Sequence, residues 1–128
     1  MGLKQSLIEN NSIKLQAQAS NWRDAIKIGT DMLIALPHAR PENGVNRTAF
    51  ALVTLETPIY FDGEDEPVDV LITLAGSSSD EHMEGLMEVT QVLDDEESDT
   101  GVDLDKLRRC RSLTDVFNVI DDALAMTA

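Results

Sequence analysis

The sequence predicts an α/β fold: a single domain with a mixed β-sheet flanked by helices on both faces. Three observations lead there. Helical and extended apolar patterns interleave along the chain. The most apolar extended run, VDVLITLA at 68–75, is apolar on both faces after Asp69, as in a strand covered from both sides. And 128 residues with 42% apolar side chains supply one core, so residues 1–128 make one domain.

Residues 3–9 read as a short helix, and Ile13, Leu15 and Ala17 alternate as a short strand. Asn21 is a good helix N-cap, because its short amide can accept from an orphan N–H of the first turn. Behind it Trp22, Ala25, Ile26, Gly29 and Leu33 recur at helical spacing, giving an amphipathic helix over 21–35. Pro37 disfavours helical geometry at Leu36 and ends the pattern. RPENGVNR at 40–47 is loop, with Pro41, Asn43 and Gly44 as turn residues. A buried-type strand follows at 49–55, an acidic loop at 57–67, then the doubly covered strand at 68–75.

Ser78 and Glu81 have capping-box spacing for a helix over 78–93. Its apolar face takes in Met83, Leu86, Met87, Val89 and Leu93, and Met83 and Met87, one turn apart, are expected in the core. Residues 94–103 are an exposed acidic loop and 104–109 a short helix. Ser112 and Asp115 open the last helix, which turns Val116, Phe117, Val119, Ile120, Ala123 and Leu124 inward.

The formal charge of −14 argues against nucleic acid or an anionic membrane as partner, since both repel an acidic surface. Cys110 is the lone cysteine and cannot form an internal disulfide, which fits a reducing compartment. The N-terminus lacks the apolar core of a signal peptide, and no apolar run approaches a membrane span, so a cytoplasmic protein is expected. MGLKQS formally fits a myristoylation pattern, a short match read as chance. The acidic stretch DGEDEPVD at 62–69 lacks the alternating ligands, sixth-place glycine and closing glutamate of a calcium loop, and no metal is expected. Cys110 lies between Arg109 and Arg111, a setting that lowers a thiol's pKa, but with no histidine near it in sequence it reads as a half-buried helix cysteine.

Two histidines carry the chemistry of interest. His38 follows Pro37 in LPHAR, where the proline fixes the backbone and donates no N–H. His82 falls in the first turn of the 78–93 helix, where free N–H groups and positive potential suit an anion and keep the imidazole neutral. A neutral ring nitrogen of His38 can attack phosphorus, with Arg40 and Arg47 near enough in sequence to neutralise phosphoryl oxygens. Ser77 to Ser79 could offer hydroxyls to such a group, and a plain helix cap explains them equally well. On spacing alone two histidines this far apart are no motif, and a loop residue and a helix-surface residue explain them better.

ALPHARPENG at 35–44 resembles the signature of the mannitol/fructose-type (type-2) EIIA family of the sugar phosphotransferase system (PTS). Its phosphorylated histidine lies in an Ala-aliphatic-Pro-His-small pattern, matched in order by Ala35, Leu36, Pro37, His38 and Ala39. PVDVLITLA at 67–75 is similar to the family strand preceding a second histidine, which falls on His82 in DEHMEGLMEVTQVLDDEE. LDKLRRCRSLTDVFNVID at 104–121 matches the closing pair of helices, and the start, 3–26, looks closest to the ascorbate-type branch.

The resemblance implies a phosphotransferase component with a phosphohistidine intermediate on His38 and no cofactor. It implies HPr as phosphoryl donor and a cysteine of the EIIB component as acceptor, with the membrane component EIIC met only indirectly. His82 would orient or stabilise His38, and Arg40 would stabilise the phosphoryl group. The alternative is an EIIA-like regulatory interaction module, and a third reading is an acidic α/β binding domain without phosphorylation. One departure stands out: family members usually carry another helix and connection where Ala35 here runs straight into Leu36, so a segment is expected to be missing at that junction.

Overall fold

A computed structural model describes residues 2–34, 49–75, 79–94 and 101–125, with the side chains at 34 and 79–82 outside the description. The elements alternate as the sequence implies. Helix α1 (Leu3–Asn10) leads into strand β1 (Ile13–Ala17), then helix α2 (Trp22–Ile34), strands β2 (Ala49–Ile59) and β3 (Val68–Ala75), and helices α3 (Ser79–Leu93), α4 (Asp105–Arg108) and α5 (Leu113–Ala125). The strands form one sheet in the order β1-β2-β3, parallel between β1 and β2 and antiparallel between β2 and β3. A parallel pair needs a crossover, and α2 supplies it.

Both faces of the sheet are covered. Phe50 and Leu52 of β2, with Ile72 and Leu74 of β3, face α1, α3, α4 and α5 through Leu3, Leu7, Val92, Leu107, Val116 and Ile120. Val53, Leu55 and Ile59 point the other way, onto Ala25, Trp22 and Ile28 of α2. This is the period-two alternation of a strand with an apolar partner on each side, which is why 49–55 and 70–75 each read as nearly continuous apolar sequence. In β1, Ile13 and Leu15 join the first core and Ala17 joins the second. Gln16, with φ of 53°, makes a one-residue bulge between Lys14 and Ala17 that switches the face.

Strand β2 runs past the expected end at Leu55. Thr57 and Pro58 sit in an irregular stretch, after which Ile59 pairs with Val68 and is buried. Proline gives no ladder N–H, so a strand containing it is tolerated at such an irregularity. The expected loop at 57–67 thus begins later, because Ile59 finds its partner only across the sheet.

The helix ends follow local chemistry. Asn21 Oδ1 accepts from the Asp24 N–H at 2.9 Å, capping α2. At α5, Ser112 Oγ accepts from the Asp115 N–H at 3.2 Å, while the Asp115 carboxylate accepts from the Ser112 N–H at 3.2 Å and the Arg111 N–H at 2.9 Å. Those donors hold the Asp115 carboxyl below its ordinary value, the Arg111 N–H first among the causes.

Among the described residues three polar side chains are fully buried, and two of them grip one residue. Ser6 Oγ accepts from the Phe50 N–H at 3.0 Å, and Ser12 Oγ donates to the Phe50 carbonyl at 2.5 Å. The third, Thr54 Oγ1, accepts from the N–H of bulged Gln16 at 2.9 Å. The serines thus satisfy the backbone of β2 where β1 has not yet begun.

Replacing Ser6 with alanine orphans the buried Phe50 N–H and is expected to lower unfolding free energy by about 1–3 kcal/mol in a urea titration. A loss near zero would show that water reaches that N–H. Asp115→Asn tests the α5 cap. A carboxyl whose folded pKa is depressed stabilises above its unfolded value of about 3.9 and stops doing so as pH falls through the folded value. The stability gap between wild type and Asp115→Asn is therefore expected at neutral pH and should close below pH about 4 in denaturation curves taken across that range.

Candidate functional site

Four chain ends frame one end of the sheet. The first residue of β2, Ala49, pairs with the last of β3, Ala75, and Phe50 pairs with Leu74. Helix α2 runs back along β2. Trp22 at its start lies against Phe61 just beyond the end of β2, with ring centroids 5.5 Å apart, while Gly29 packs on Val53 and Thr73. The C-terminal end of α2 is thereby carried toward Ala49 and Ala75. Helix α3 begins at Ser79, four residues beyond Ala75.

His38, Arg40 and Arg47 lie in 35–48, the stretch joining α2 to β2, and outside the described residues, as do Ser77 and Ser78. His82 is the fourth residue of α3, in its first turn, as expected; its side chain is also outside the description. What the structure brings together is the set of elements from which the two histidines are hung.

The placement of α3 rests on Gly85, one turn after His82. A Cβ at Gly85 would collide with the Phe50 ring, so helix backbone and ring touch directly. With Gly85 inward, Val89 and Val92 follow it onto the core. Met83, Leu86 and Met87 are turned away. Met83 and Met87 are each 58% exposed and Leu86 is 42% exposed, against the expectation that the methionines are core. Of the expected apolar face, Val89 and Leu93 do pack on the core, while Met83, Leu86 and Met87 do not, because α3 is apolar on two sides and a glycine marks the buried one. Sequence reading passed over Gly85 and Phe50; a glycine in the middle of an amphipathic helix was the available signal.

Charge is one-sided here. No Lys or Arg occurs between Arg47 and Lys106, and α3 itself carries Asp80, Glu81, Glu84 and Glu88. Of the cations at 106–111, Arg108 is taken up elsewhere. Arg108 Nε donates to Asp69 Oδ1 at 2.7 Å and its Nη1 to Asp105 at 2.8 Å, tying α4 to the start of β3, the end of that strand opposite Ala75. Cys110 lies just after α4, 2% exposed, its thiol donating to the Lys106 carbonyl at 3.3 Å. Burial pushes the thiol pKa up, with Asp115 adding to the rise and Arg111 opposing it. Desolvation thus outweighs the flanking arginines, and Cys110, read as half-buried on a helix, is wholly buried just after one. Among the described residues no group of three or more His, Cys, Asp or Glu could hold a metal ion, and no helix is long and apolar enough to cross a membrane.

Residues 28–123 match the model of the family described as phosphoenolpyruvate-dependent sugar phosphotransferase system, EIIA 2. The chain belongs to this family.

Relatives of this EIIA chain include the ascorbate-specific PTS system EIIA components of Shigella boydii, 40% identical, and Escherichia coli K12, 38% identical. Each comparison covers 94% of this chain and 96% of the relative. The alignments run over 153 positions, longer than the 128 residues here, so the relatives carry positions that this EIIA chain lacks. The junction of Ala35 and Leu36, where a missing segment is expected, lies outside the described residues. A Streptococcus mutans chain described as a PTS IIA protein superposes with a TM-score of 0.75 at 29% identity, over 98% of this chain and 96% of that one. The mannitol-specific cryptic enzyme IIA of Escherichia coli gives 0.69 at 26%, over 95% and 99%.

Because Met83 and Met87 touch solvent, Met83→Ser with Met87→Ser should leave EIIA stability within about 0.5 kcal/mol of wild type in chemical denaturation. Leu107→Ala in the core should cost about 2–5 kcal/mol in the same assay. A comparable loss from the methionine pair would put those side chains back in the core.

Proposed function

We propose that this EIIA chain carries a phosphoryl group on His38, taken from HPr and passed to a cysteine of the EIIB component. The observation that carries the reading is family membership joined to LPHAR, the Pro-His motif, on the segment that links α2 to β2 at the end of the sheet where α3 begins. The names of its relatives favour an ascorbate-type permease.

In the first step a neutral ring nitrogen of His38 attacks the phosphorus held on the donor's histidine. The new N–P bond forms as the old one breaks, and the electron pair returns to the donor imidazole. In the second, a thiolate of EIIB attacks the same phosphorus and His38 leaves as a neutral imidazole. Neither step needs a cofactor. Positioning and neutralisation of the equatorial oxygens lower the barrier. Arg40 supplies charge, and its importance follows from the absence of any other Lys or Arg from 48 to 105. His82, in the first turn of α3, sits where the helix N-terminus disfavours an imidazolium, so it acts as a neutral partner that orients His38 or the phosphoryl group.

Donor and acceptor must both reach His38, so their footprints overlap. The stripe of Met83, Leu86 and Met87 beside His82 suits two different partners in turn, since thioether side chains repack readily. Its acidic surroundings favour partners that bring cations around an apolar centre.

Incubation with phosphoenolpyruvate, enzyme I and HPr should add one acid-labile phosphoryl group by intact mass. His38→Ala should take up none, and His82→Ala should still load, at a rate lower by on the order of 100-fold. No uptake by the folded wild-type chain would overturn the carrier reading in favour of a regulatory module.

A further inference from the structure

The Phe50 ring of β2 and the Gly85 backbone of α3 meet with no room for a Cβ between them. Phe50 cannot easily yield. It is fully buried, its N–H is held by Ser6 and its carbonyl by Ser12, and Leu74 is its partner across the sheet. Helix α3 therefore rests on a fixed stop. Alanine would favour the helix by about 1 kcal/mol over glycine, so Gly85 works against local helix stability. What it gains is approach: the helix lies one Cβ closer to β2 than any other residue would allow.

The two residues are also the described neighbours of both histidine-bearing segments. Gly85 is one turn beyond His82, and Phe50 is the second residue after the 35–48 stretch that carries His38. We propose that Phe50 and Gly85 are a positioning pair that sets the height of the first turn of α3, and so of the His82 backbone, over the start of β2. The inference rests on the phosphoryl-carrier reading above. Neither residue touches the reacting atoms; they act through α3. A displacement of about 1 Å at a phosphoryl-transfer site is enough to cost on the order of 100-fold in rate.

Gly85→Ala is the direct test, because it strengthens helix propensity while blocking the close approach. The variant is expected to fold, to dock phospho-HPr with nearly unchanged KM, because Met83 and Met87 move with the helix, and to lose about 10- to 100-fold in kcat for phosphoryl uptake. Shrinking the ring in the double variant Phe50→Leu, Gly85→Ala should restore most of that rate. A folded Gly85→Ala chain that loads at the wild-type rate, or a loss that Phe50→Leu does not rescue, would overturn the proposal. Should Gly85→Ala fail to fold, Phe50→Leu alone opens space under α3 and should itself slow uptake; wild-type kinetics there would overturn it. The imidazole nitrogen resonances of His82 give a reading independent of phosphorylation. They should move in Gly85→Ala and return in the double variant. If the wild-type chain takes up no phosphoryl group, the carrier reading fails by itself, and unmoved His82 resonances then count separately against the positioning pair.

Discussion

The hydroxyls of Ser6 and Ser12 hold the two backbone groups of Phe50, and the ring of the same residue bears on Gly85. Helix α1 is fastened to β2 by the first pair of contacts, and α3 is spaced from β2 by the last. Both depend on burial. A hydroxyl–amide bond exposed to water would be exchangeable at little cost, whereas here each serine is wholly inside and a broken bond leaves an orphan. The start of β2, where the described chain resumes after the His38 segment, is in this way among the most constrained positions in the domain.

That rigidity is set beside a surface of the opposite character. The outward side of α3 presents Met83, Leu86 and Met87 without core partners, in a stretch of chain that has acids and no cations. The inner side of the same helix meets Phe50, Val92 and the helices behind them. One helix thus supplies a fixed inner face and an adaptable outer one. A protein that passes a group between two partners needs both: the reacting groups must keep their geometry while the surface around them accommodates different shapes.

Much of the architecture was legible in the chain. The strand at 68–75 came out with its bounds intact, and the caps at Asn21 and at Ser112 with Asp115 did what their spacing implied, because these depend on bonds within three or four residues. The end of β2 was misread at Thr57 and Pro58, since pairing of Ile59 with Val68 is a contact made across the sheet. The thiol of Cys110, read as half-buried on a helix, is wholly buried just after α4 for a related reason. Its flanking arginines are visible in sequence, but the desolvation that outweighs them comes from the fold.

The sequence by itself determined the alternation of helices and strands, the single acidic domain, and the Pro-His motif that points to phosphoryl transfer. These are local or compositional properties, written in periodicity and in adjacent residues. Which side of α3 faces the core was decided only by tertiary structure. The helix is apolar on two sides, and spacing cannot rank them. The close seat of Gly85 on Phe50 selects one side for the core and leaves the methionines to the solvent. That contact joins residues far apart in the chain, and its effect depends on a side chain that glycine does not have.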